Sequence, residues 1–161
     1  MSDPVAPPAT PPAAEGQQTP LVVNVQYVKD LSFENPNAPN SLALRQQPQI
    51  AVNVNVNARP LADHTFEVQL VISAEAKQED QVAFVVELTY AGVFTLNGIA
   101  EEHVRPVLLI ECPRLLFPFA RAILAEATRD GGFPPLSLQP IDFAQLFRQQ
   151  LAQQGQQAGQ A

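Results

Sequence analysis

Few side chains here have the types that do covalent or metal chemistry, and their spacing limits what they can do. His64 and His103 are the two histidines and Cys112 the single cysteine. The histidines are far apart, and neither stands at a ligand spacing from Cys112, so no zinc-type set is expected. Cys112 precedes Pro113 without a basic partner nearby and reads as a buried thiol rather than a nucleophile. Asp30 and Glu34 could pair for acid and base work, but no histidine-containing or glycine-rich pocket motif accompanies them. Gly98, in LNGI, reads as a turn, and no phosphate-loop pattern occurs. The residue types therefore suggest no catalytic or metal site, and no cofactor is expected.

Those carboxylates lie on segments that alternate with period two, the mark of half-buried strands. In the first, Leu21, Val23, Val25, Tyr27, Leu31 and Phe33 share a parity opposite Asn24, Gln26, Asp30, Ser32 and Glu34. The second sets Ile50, Val52, Val54 and Val56 against Asn53, Asn55 and Asn57, and the third sets Phe66, Val68, Leu70, Ile72 and Ala74 against Thr65, Glu67, Gln69, Ser73 and Glu75. The fourth places Val82, Phe84, Val86, Leu88, Tyr90, Phe94 and Leu96 opposite Glu87, Thr89 and Thr95. Such two-sidedness predicts an antiparallel sheet with one wet face. Residues 59–64 and 77–80 read as hairpin turns, while the Pro-rich stretch 36–48 should cross over the sheet. The polar parities carry Asp30, Glu34, Glu67, Glu75 and Glu87 against Lys77, so the wet face is expected to be acidic.

From Glu101 onward the pattern becomes helical. Pro113 suits a first helical turn, the line Leu115, Phe119, Ile123, Ala127 is apolar, and Gly131 and Gly132 close the helix. Asp142 can cap a second, short helix with Gln145 at the capping-box spacing, Ile141 stapling on Leu146, and a stripe of Phe143, Leu146, Phe147 and Leu151. Two such helices cannot cover four strands, so burial between subunits is expected.

The 161 residues, 46% of them hydrophobic, suffice for one domain with a sizeable core. A net charge of -7 disfavours nucleic acid and anionic membranes and favours a basic partner. Residues 1–20 hold six prolines and four alanines and should form a disordered extension; residues 152–161, in the glutamine-rich tail, should fray; the ordered domain spans 21–151. With no signal-like start, no apolar run of membrane length and a lone cysteine, a cytoplasmic location is the simplest expectation.

Four motifs, YVKDLSFENPNAP, AFVVELTYAGVFTLNGI, CPRLLFPFARAIL and GGFPPLSLQPIDF, in this order over about Val25 to Leu151, resemble SecB, the bacterial protein-export chaperone family. The resemblance implies an α+β subunit, a four-stranded antiparallel sheet with one long and one short helix packed on one face, assembled as a dimer of dimers, a homotetramer. It implies the partners too: unfolded secretory precursors held without ATP in apolar grooves, and SecA, the translocase motor that receives them. The groove residues it implies are Leu42, Leu44, Phe84, Phe143, Leu146 and Phe147. Asp30, Glu34, Val85 and Glu87 fall where the family docks a basic, zinc-stabilised segment of SecA, the zinc belonging to that partner. The subunit interface would draw on Val86, Leu88, Tyr90, Phe117, Phe119 and Ile123. Strand parity alone singles out the same three carboxylates, although a polar face also serves simply to keep a protein soluble. Two other functions stay open: a SecB-like chaperone of a toxin-antitoxin pair, and a passive oligomeric scaffold with an acidic docking face.

Overall fold

Four long strands, β1 (Leu21–Glu34), β2 (Gln49–Ala62), β3 (Thr65–Gln78) and β4 (Gln81–Leu96), form one antiparallel sheet in the order β1-β4-β3-β2. The computed structural model describes residues 19–43 and 47–159. The α+β class and the antiparallel sheet are as expected. β2 and β3 are joined across Asp63 and His64, and β3 and β4 across Glu79 and Asp80, with His64, Glu79 and Asp80 at positive φ. Such left-handed turn residues match the twist of the strands they join. The connection from β1 to β2 crosses from one edge of the sheet to the other and includes one helical turn, α1 (Asn40–Ala43).

β1 departs from simple alternation. Register shifts lie between Val23 and Val25 and between Val28 and Asp30. Each extra residue reverses the side-chain phase, and the second restores it. Leu21, Val23, Val28, Leu31 and Phe33 therefore pair with Leu96, Phe94, Tyr90, Leu88 and Val86, whereas Val25 and Tyr27 pair with Val93 and Ala91 on the opposite face. The expectation that Val25 and Tyr27 share a face with Leu31 and Phe33 is thus corrected.

The helical half begins at α2 (Glu101–Pro106), passes through a π-helical turn (Val107–Glu111) and continues as α3 (Cys112–Asp130), with Pro113 in its first turn. α3 covers β3 and β4. It buries Cys112, Pro113, Leu116, Phe117, Ala120, Leu124 and Thr128, so the stripe facing the sheet is offset from the anticipated line. Leu115 and Phe119 of that line are exposed, and Ile123 and Ala127 half-buried. α4 (Phe143–Ala158) is capped by Asp142, whose side chain accepts from the Gln145 amide at 3.0 Å, as the capping-box spacing predicts. At 16 residues against 19 for α3, it is not a short helix, and it runs past Leu151, where fraying is expected, because glutamine and alanine favour helix.

Candidate functional site

The sheet's uncovered face is assembled by register. Glu87 on β4 lies between Ser32 of β1 and Ser73 of β3, and Val85 between Glu34 and Glu75. Asp30 faces Thr89. Asp30, Glu34, Val85 and Glu87 therefore share one face, where Glu34, Glu75 and Glu87 neighbour the half-buried Val85 and Asp30 lies further along β1. The second register shift of β1 is what returns Asp30 and Glu34 to this face. Lys77 offsets Glu75 at 3.5 Å.

The same face is not acidic throughout, which corrects the count of acids made from parity. Glu67 is only 4% exposed. Its carboxylate receives Lys29 at 3.0 Å, Arg59 at 2.9 Å and Gln69 at 2.6 Å, and the Tyr27 hydroxyl donates to it as well. Burial pushes the Glu67 carboxyl up, but the hydrogen bonds from Tyr27, Gln69, Lys29 and Arg59 outweigh it and hold it well below its ordinary value. Burial, then the bond to Glu67 and its charge, push Tyr27 up to about 12. Tyr27 and Lys29 come from β1, Arg59 from β2, and Gln69 with Glu67 from β3, so the cluster draws on three strands and reaches across β4.

On the helix side, a trench follows β2, the edge strand beyond the reach of α3. One pocket of about 430 Å³ is bounded by Ile50, Val52 and Val54 and by the linker Leu136 to Ile141; an adjoining one of about 340 Å³ shares Val52, Val54 and Ile141 and reaches Leu146 and Gln149. Ile50 and Val52 are 43% and 40% exposed, an apolar row with no cover. A third hollow of about 590 Å³ adjoins the far end of β2, among Val56, Phe66, Leu108, Gln150 and Gln154.

The linker is held in place from α3. Buried Thr128 donates to the Leu124 carbonyl at 2.9 Å and accepts from the Leu136 amide at 2.8 Å. The turn after β1 is pinned by Asn35 donating to the Gly131 carbonyl at 3.0 Å and Asn37 to the Val82 carbonyl at 2.8 Å. Phe33 stacks on Phe84 at 5.9 Å, and Phe84 meets Phe133 in a tilted pair at 5.0 Å. The Phe33 ring lies so close to Gly131 that a β-carbon there would collide with it, and Gly132, at φ 95°, carries Leu42 against it. These contacts fix the crossover beside the linker.

Of the groove residues expected from sequence, Leu42 is exposed and Leu146 and Phe147 are half-buried. Phe84 and Phe143 are 2% and 1% exposed and belong to the core, and Leu44 lies outside the described residues. The apolar row of β2 that lines the trench was not among the expected residues, because parity alone assigned it to a covered face. Of the expected interface residues, Val86 and Leu88 are fully buried beneath α3 within one subunit, and Tyr90 and Phe117 nearly so. Phe119, 52% exposed and stacked on Tyr90 at 6.3 Å, and half-buried Ile123 remain accessible. Cys112 is fully buried, and burial followed by the charge of Glu111 pushes its thiol up to about 12, so it is an inert core group. No described helix is long and apolar enough to cross a membrane.

A family profile described as preprotein translocase subunit SecB matches residues 14–154. Protein-export protein SecB of Mesorhizobium japonicum is 61% identical over 139 residues, covering 86% of this chain and 83% of that protein. The protein of the same name from Caulobacter vibrioides is 51% identical over 163 residues, covering 100% of both chains. Among solved structures, a SecB-like chaperone of Mycobacterium tuberculosis in complex with a peptide from the antitoxin HigA1 matches with a TM-score of 0.64 at 15% identity, over 75% of this chain and 90% of that one. Sequence and fold agree, and this chain belongs to the SecB family.

Proposed function

We propose that this chain works as a SecB protein-export chaperone that holds unfolded secretory precursors, without ATP, in the trench along β2 and hands them to SecA through the acidic end of the opposite sheet face. The observation that carries the reading is the apolar row of exposed Ile50 and Val52 and half-buried Val54 facing the linker 136–141. Unfolded chains differ from folded ones in exposing apolar side chains and free backbone, so a long apolar trench selects for unfoldedness while reading little sequence. Each large side chain buried there contributes roughly 1.5–3 kcal/mol, and several weak anchors add through avidity. The close relatives named for protein export favour this role over service to a toxin-antitoxin pair, since the antitoxin-binding structure is only 15% identical.

Docking of a basic segment of SecA is assigned to Asp30, Glu34, Val85 and Glu87, an acidic stretch of one face that includes a single apolar side chain. Assembly into a dimer of dimers is supported by Val23, Val28 and Leu31 of edge strand β1 and by Leu115 and Phe119 of α3, all exposed and apolar on the helix side. A reduced, unfolded secretory precursor mixed with this protein should refold more slowly without ATP. An unchanged refolding rate at saturating protein would overturn the chaperone role. Glu87→Lys should keep that arrest and weaken SecA binding. Sizing at micromolar concentration should show an oligomer, and a stable monomer would contradict the assembly.

A further inference from the structure

The uncovered face is electrically polarised along its strands. At one end stand Glu34, Glu75 and Glu87 with Lys77; at the other, the single carboxylate of Glu67 meets two cations, Lys29 and Arg59, and Asp30 lies between the two ends next to Lys29 in β1. Arg59 engages Glu67 through Nε alone and is 60% exposed, and no other protein partner of it occurs among the described residues. A guanidinium carries five N–H donors, so both Nη groups of Arg59 stay available, and that edge takes a carboxylate by two parallel bonds. Glu67 thereby serves as a fixed handle. It orients the guanidinium while leaving the cluster one positive charge in excess. Asp63 and His64 lie beyond it in the exposed β2–β3 turn.

The two ends are separated by a countable register. Glu67 and Ser73 lie on one face of β3, Ser73 opposite Glu87. The offset of six residue steps, at about 3.3 Å each, separates the poles by about 20 Å. A uniformly basic segment would be repelled at the Arg59 end, so the two poles together set the direction of a bound segment.

Resting on the docking role above, we propose that Arg59, supported by Lys29 and Glu67, is an anion-reading subsite of the docking face. The face then takes an extended peptide segment whose basic residues lie over Glu87 and whose acidic side chain, about 20 Å away, lies over Arg59.

The test uses the full chain and two labelled synthetic peptides, each with a lysine block and, after about six Gly/Ser residues, either a glutamate or a glutamine block. Anisotropy at low salt should show the glutamate peptide binding about threefold tighter to the unsubstituted protein. Arg59→Gln should equalise the two peptides without changing affinity for the glutamine peptide, which also reports that the variant is folded. Arg59→Lys should retain part of the preference. Equal affinities on the unsubstituted protein, or a preference that survives Arg59→Gln, would overturn the subsite. Glu87→Lys should weaken both peptides, and unchanged binding of both would instead overturn the docking role itself.

Discussion

The two faces of this sheet are built from the same four strands and hold together by different physics. On the covered face Val68, Leu70, Ile72, Val86, Leu88 and Phe94 are completely buried against α3 and the linker, and stability there scales with apolar area removed from water. On the open face one carboxylate, Glu67, gathers partners from β1, β2 and β3, while the remaining acids are solvated. The difference teaches that the covered face sets whether the chain folds, and most of the open face is free to be shaped by what it binds.

Substitutions rank by how far they test that division. Leu88→Ala, which leaves a cavity under α3, should reduce unfolding free energy by about 3 kcal/mol in urea titrations. A loss under about 1 kcal/mol would mean that the covered face is loosely packed. Glu67→Gln should cost about 2 kcal/mol, the one large effect on the open face, because buried charge-assisted bonds are lost while Lys29 and Arg59 can resolvate. Its pH signature is specific. Glu67 is held below its ordinary value of 4.5, so its stabilisation is complete above that pH and fades as pH falls towards the depressed value. The variant should lose that part of the acid dependence, and equally steep acid unfolding in both proteins would argue against the cluster. Val52→Asn, on the uncovered row of β2, should change stability by less than about 1 kcal/mol while shortening the arrest of precursor refolding. Glu87→Lys should be nearly silent in stability, within about 0.5 kcal/mol, which separates it from every substitution above.

Much of this was legible from residue types. β3 and β4 alternate without interruption over most of their length, so parity assigned their faces correctly, and Asp142 with Gln145 announced the start of α4. The acids Asp30, Glu34 and Glu87 do share a face. β1 was harder to read because its two register shifts arise from pairing with β4, and nothing local in VVNVQYVKD marks them. Phe84 and Phe143 look like groove residues by type, but whether an aromatic lines a surface or supports it from beneath depends on what packs over it. Phe33 and Phe133 cover Phe84, and Phe117 lies against Phe143 at 6.1 Å. The trench along β2 was foreshadowed only as a shortage of helix to cover four strands. The role of Arg59 had no sequence signal, since the carboxylate that holds it lies in the next strand.

The bond from Asn35 to the Gly131 carbonyl joins positions 96 residues apart, and Phe33 meets Phe133 through Phe84 across a similar span. During synthesis the first wall of the trench leaves the ribosome long before the linker that completes it. Because such distant contacts close late, a partly made chain lacks the assembled trench. The trench is thus complete only when nearly all of the sequence has been translated.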